Sequence, residues 1–305
     1  MTTTAKITTD STASTDATPA PPTAVRSGTL QVPGATLYYE VRGSGPVLLL
    51  IPGGAGDAGL YEGMAGLLVA AGYTVVSYDQ RGLSRSPLDA PEPAGQRVEV
   101  WREDARAVLD AVLPAGERAY VFGCSSGAIV ALALLAAHPG RLHRVVAHEP
   151  PLVELLADPA PYRTRFAETR ELLRTRGIGP AMARFTGQPE REEPGTRDSA
   201  APELELPDSI RQMASRMTAN MPVFLEHVLC SFSSSTPDLD GLRAAVGQLV
   251  LAVGEESDGQ EELVGPARRL AELTGAPQAV FPGGHVGCVQ RPEECAERLI
   301  GILRA

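Results

Sequence analysis

A chain of 305 residues with 43% hydrophobic and 21% charged residues has ordinary globular composition and enough length for a large core, which excludes collagenous, coiled-coil and wholly disordered organisation. The net charge of −10 opposes a nucleic-acid footprint, because displacing counterions from phosphates needs a basic face and no long basic run supplies one. Four cysteines, Cys124, Cys230, Cys288 and Cys295, stand far apart without a C-x-x-C pair, which opposes a zinc knuckle or a dense disulfide framework and fits a reducing, cytoplasmic setting.

Residues 1–26 are rich in Thr, Ser, Ala and Pro and lack the basic start and apolar stretch of a signal peptide, so they read as a disordered tail. Thr29–Val32 and Thr36–Val41 read as a hairpin turned at Pro33-Gly34. Val47–Ile51 is apolar throughout, as expected of a strand covered on both faces. A helix over 60–71 and a buried strand over 74–78 follow. Val98, Trp101, Ala105, Val108 and Val112 recur at three- and four-residue spacing and predict a helix over 98–113. Strands over 119–122 and 144–147 flank a helix over 126–138, whose apolar run is only about half of the roughly 20 residues a membrane span needs. After Pro150-Pro151 the alternation stops until a strand over 248–253. In that gap Tyr162, Phe166, Thr169 and Leu173 trace one helix face and Ile210, Met213, Met217 and Met221 another, separated by a Pro- and Glu-rich loop over 188–207. Helix, strand and helix over 266–273, 278–281 and 292–303 close the chain. Strands alternating with helices make an α/β sheet, with residues 27–151 and 246–305 as its core and 152–245 as an inserted helical domain.

The residues that carry chemistry stand at strand ends. Residues 120–128 read Tyr-Val-Phe-Gly-Cys-Ser-Ser-Gly-Ala, a G-x-S-x-G between a strand and an Ala-rich helix. A serine on so sharp a turn has a strained backbone, and side chains at Gly123 and Gly127 would collide with neighbouring elements. The turn exposes the Ser125 hydroxyl and leaves the Ser126 N–H at a helix N-terminus, aimed where an oxyanion would form. The loop Ile51-Pro52-Gly53-Gly54-Ala55-Gly56-Asp57 follows the central strand and offers the Gly54 N–H as a second donor; it lacks the G-K-[ST] ending and the G-x-G-x-x-G spacing of phosphate loops. Of the histidines, His138 ends a helix, His143 begins a strand and His227 lies within the insert. His285 sits among glycines in a loop after the last strand, where the general base of such a serine comes last in chain order.

Together with Asp79-Gln80-Arg81-Gly82-Leu83-Ser84-Arg85-Ser86, these segments resemble the α/β-hydrolase family from Gly28 to Ala305. The resemblance implies a mostly parallel, doubly wound α/β sheet with an inserted helical cap, a Ser-His-acid triad, and neither cofactor nor metal. Two positions depart from the pattern: Ser84 stands where glycine is usual, and Pro52 stands where many members carry a histidine. The acid is open between two carboxylates. Most members place an aspartate in a G-x-x-D turn after the seventh strand, where this chain has Ser257, with Asp258 one residue late. Glu149, 24 residues after Ser125 at the end of the sixth strand, is favoured over Asp258, because a branch of the haloalkane dehalogenases carries its acid there.

A serine nucleophile disfavours dehalogenase and epoxide-hydrolase chemistry, which uses a carboxylate at that position. The expectation is a serine hydrolase that cleaves an ester, lactone or thioester of a small, largely apolar substrate through an acyl-enzyme, with Met213, Met217 and Phe224 against the substrate. The alternatives are a proline-iminopeptidase-like peptidase, in which a carboxylate such as Glu226 binds the substrate amine, and a non-catalytic receptor for a small ligand. The expected partner is a small-molecule substrate, with no nucleic acid and no membrane, for a monomer or homodimer.

Overall fold

The structure is a computed structural model that describes residues 5–6, 24–90, 96–188 and 208–305. Among the described residues nine strands form one sheet: β1 (Ala5–Lys6), β2 (Arg26–Val32), β3 (Ala35–Arg42), β4 (Val47–Ile51), β5 (Thr74–Tyr78), β6 (Ala119–Cys124), β7 (Leu142–His148), β8 (Leu249–Gly254) and β9 (Gln278–Phe281). Their order is β1-β2-β3-β5-β4-β6-β7-β8-β9, antiparallel from β1 to β5 and parallel from β5 onward. This is the expected mostly parallel sheet. Most of the predicted tail and residues 189–207 of the predicted loop lie outside the described residues, but Ala5 and Lys6 pair with Leu30 and Thr29, and Arg26 already belongs to a strand.

The uniform apolarity of β4 has a direct structural cause. Val47, Leu49 and Ile51 pack into a cluster with Trp101 and Val108 of α2 (Val98–Val112) and with α3 (Ser126–Ala137). Leu48 and Leu50 point the other way, onto Met64 and Leu68 of α1 (Glu62–Ala70) and Leu299 of α11 (Pro292–Arg304). With a side-chain period of two, only a strand sandwiched between helical layers can be apolar at every position. Between β7 and β8 the described residues form helices: α4 (Ala160–Arg176), α5 (Ile178–Thr186), α6 (Asp208–Val223), α7 (Leu229–Ser233) and α8 (Leu239–Ala244). Pro222 lacks the N–H that would continue α6, and the chain passes into a wide π-helical turn at Phe224–Val228. After β8, α9 (Glu261–Thr274) begins five residues before the predicted start and carries Pro266 inside it, with Glu261 and Glu262 favourably placed in its first turn. The short α10 (Gly287–Gln290) was not expected. No described helix is long and apolar enough to cross a membrane.

Candidate active site

β6 ends at Cys124 and α3 begins at Ser126, so Ser125 alone turns the chain, at φ +57° and ψ −127°. A non-glycine residue in this region is strained and persists only where its surroundings hold it. Here the Ser125 N–H donates to the His148 carbonyl (2.9 Å), and the Ser125 carbonyl accepts from Ala128 N (2.9 Å) and Ile129 N (3.2 Å). Cys124 is buried next to it, and burial raises its thiol pKa far above the ordinary value, so the adjacent sulfur stays protonated and does not compete as a nucleophile.

Glu149 follows β7 directly, at φ +48°, with no exposed surface. Its Oε1 accepts from Gly254 N (2.7 Å) and its Oε2 lies 2.7 Å from His285 Nδ1. A carboxylate can only accept, so Nδ1 carries the proton and Nε2 is left as the acceptor that a general base needs. Burial pushes the Glu149 carboxyl up, but its hydrogen bonds to His285 and Gly254 and the neighbouring imidazoles outweigh that and hold it at about 2. His148 is lowered to about 4, chiefly by burial. Its Nδ1 lies 3.4 Å from Cys124 Sγ, and its buried Nε2 has no hydrogen-bond partner among the described residues.

Asp258 is not at the site. Its exposed carboxylate pairs with Arg268 (3.1 Å), while Ser257, at the position usual for the acid, is buried. The one-residue slip turns the carboxylate outward, and Glu149 reaches the histidine from the neighbouring strand instead. The β8 loop braces the histidine loop: Glu256 N donates to Gly283 O (3.0 Å), and Arg291 binds both Glu255 (3.2 Å) and Glu256 (2.5 Å).

Gly54 lies beside the serine turn at φ +56°, and its N–H donates to the Ser126 hydroxyl (2.9 Å). That amide is thus satisfied within the protein. Ser125, Ser126 and His285 open together onto a cavity of about 400 Å³, walled by Phe166, Phe185, Phe224, Leu229, Phe232 and Leu263. Phe185 and Phe224 meet edge to face, with centroids 5.9 Å apart. Phe224 therefore belongs to the wall of the cavity onto which Ser125 opens. Met213 and Met217 do not line this cavity; Met213 Cγ stands 3.3 Å from where a Gly59 Cβ would be, and of the stripe Met221 packs against the main hydrophobic cluster. The sequence reading missed Arg165 and Glu262, which pair with each other at the cavity wall; Arg165 directly precedes Phe166 on the traced face of α4, and this adjacency was the available signal. Glu226 is outside the cavity and pairs with Arg174. Cys124, His148 and His285 place one potential metal-ligating atom each within 4.8 Å of one another.

The sequence matches the alpha/beta hydrolase family over residues 48–298. It is 34% identical over 283 residues, 92% of this chain and 96% of the relative, to the uncharacterized hydrolase YraK of Bacillus subtilis (strain 168). A zearalenone hydrolase of Bionectria ochroleuca is 36% identical over 118 residues, which cover 39% of this chain and 44% of that protein. A carboxylesterase structure from the ammonia-oxidizing thaumarchaeon Nitrososphaera gargenis has a TM-score of 0.67 at 19% identity, over 90% of this chain and 97% of that one, a likeness of fold. With a strained serine between strand and helix, and a buried carboxylate bound to the histidine of the last strand's loop, matches of this extent make the chain a member of the alpha/beta hydrolase family.

Proposed function

We propose that the protein is a serine esterase or lactonase for a small, largely aromatic or aliphatic substrate. The observation that carries this reading is the shared cavity: the strained Ser125 and the His285 ring, held by Glu149, open onto one pocket walled mainly by aromatic and aliphatic side chains. In the proposed reaction His285 Nε2 takes the Ser125 Oγ proton as the oxygen attacks the acyl carbon, and the developing oxyanion faces the Ser126 N–H. The Gly54 N–H joins once the Ser126 hydroxyl rotates away from it. His285 then returns the proton to the leaving alcohol, and water, deprotonated by the same nitrogen, releases the acid. A peptidase reading has less support, because Glu226 is outside the cavity and Glu262 is neutralised by Arg165.

Treatment with a fluorophosphonate, followed by intact mass and peptide mapping, is expected to show one adduct on Ser125. A folded protein that stays unlabelled overturns the serine mechanism and favours the small-ligand receptor. The partial match to zearalenone hydrolases places zearalenone on the substrate panel, beside p-nitrophenyl esters and aminoacyl anilides. Phe224→Trp is expected to lower kcat/KM for a bulky aromatic ester about tenfold relative to p-nitrophenyl acetate, since filling part of a snug pocket costs ~1–3 kcal/mol. Equal losses on both esters would take Phe224 off the substrate wall.

A further inference from the structure

The methionines on α6 are not its principal attachment to the core; two polar side chains one turn apart are. Asn220 is 4% exposed, and its amide is fully used: Nδ2 donates to the Ala55 carbonyl (2.9 Å) and to Ser84 Oγ (2.8 Å), while Oδ1 accepts from Ser84 N (2.8 Å). Arg216 Nε donates to Asp57 Oδ2 (2.5 Å), which also accepts from the Ser84 hydroxyl (3.0 Å). The other oxygen of this fully buried Asp57 accepts from Gly59 N (2.9 Å). One connected network therefore joins the helical insert to both ends of the Ala55–Asp57 stretch.

Ser84 shows that the network is specific. It sits at φ +48°, a conformation that glycine adopts freely and serine does not, and among the described residues its hydroxyl is occupied only in this network. The neighbouring Gly54 has φ +56° and open space around its Cβ position, and its N–H is bonded to the Ser126 hydroxyl (2.9 Å). The loop around it is held by the close approach of Gly53 to Cys124 and Ser125, by the Gly56 N–H to Gly53 O turn (3.0 Å) and, from the insert, by the Asn220 bond to Ala55 O.

We infer that Asn220, supported by Ser84 and Arg216, is a positioning residue for the Gly53–Gly56 loop, so that seating of α6 on the core helps to set the place of the Gly54 donor. Seating of the helical insert and completion of the oxyanion site are then coupled. The catalytic consequence rests on the serine-hydrolase reading above; the positional one does not.

The test uses Asn220→Ala and Ser84→Gly with p-nitrophenyl acetate, a substrate too small to need the walls contributed by the insert. One oxyanion donor is worth ~10²–10³ in kcat, so a displaced donor should lower kcat about 10- to 100-fold in Asn220→Ala and several-fold in Ser84→Gly, with KM little changed. A role limited to holding the insert would leave that kcat within about twofold and raise KM only for bulky esters, which overturns the proposal. Hydrogen exchange of the peptide over residues 51–60 is expected to quicken in both variants while α3 stays protected, and unchanged exchange also overturns it. Exchange needs no turnover, so a wild type that fails to react at Ser125 sinks the serine mechanism alone. If Asn220→Ala does not fold, Ser84→Gly decides, because glycine suits that backbone.

Discussion

Glu149→Gln is expected to reduce kcat for p-nitrophenyl esters by about 10³–10⁴-fold, with a comparable slowing of fluorophosphonate labelling at Ser125, whereas Asp258→Asn stays within about twofold of wild type. The size follows from the geometry. Gly254 N donates to Oε1 of Glu149, so the amide of a glutamine keeps its oxygen there and turns its NH2 toward His285 Nδ1. An NH2 facing Nδ1 favours the tautomer protonated at Nε2, and that nitrogen then has no lone pair for the Ser125 proton. The pH dependence separates this effect from titration. The Glu149 pKa of about 2 lies below the ordinary 4.5, so its stabilising charge is complete above about pH 4.5 and is lost as pH falls toward 2. Any acid limb of wild-type activity above pH 5 therefore belongs to another group. A Glu149→Gln enzyme within tenfold of wild type, or a slow Asp258→Asn, would reject Glu149 as the acid.

The serine turn, the Gly-rich loop and the histidine loop were legible in the sequence because each fixes residue types at short range. G-x-S-x-G after a strand tolerates few alternatives, and the structure keeps that strand-turn-helix context. The acid was harder to read because its contact spans 136 residues and depends on which way one turn faces. Ser257 and Asp258 differ by a single position, yet one is fully buried and the other is 83% exposed at its side chain. The insert was misread for a different reason. A stripe of Ile210, Met213, Met217 and Met221 looks like an apolar face, but the buried residue of that helix is Asn220, and Ile210 is exposed. Hydropathy periodicity cannot find a face whose attachment is an amide network. Nor does a linear pattern reveal that Pro222 opens a π turn immediately before Phe224, a residue of the cavity wall.

Gly127→Ala is expected to be among the most damaging single methyls in the fold, removing about 3–5 kcal/mol of stability and lowering Tm by roughly 10 °C or more. A Cβ on Gly127 would stand 2.3 Å from the Ile51 carbonyl oxygen and 2.6 Å from that of Pro52. Both obstacles are backbone, so no rotamer change relieves them. β4 and α3 must separate instead, and the peptides that move are those joining β4 to the Gly53–Gly56 loop. The surviving folded fraction should therefore turn over esters far more slowly, a loss that repair of stability elsewhere would not restore. The matched control is Gly66→Ala in α1, where nothing lies within 4 Å of the new methyl. Replacing a helical glycine there should be neutral or stabilising by about 0.5–1 kcal/mol. Thermal unfolding of both variants, with phosphonylation of the folded fraction as the count of working sites, distinguishes close packing at one glycine from a general intolerance of added methyl groups. Similar Tm values for the two variants would contradict the packing argument at Gly127.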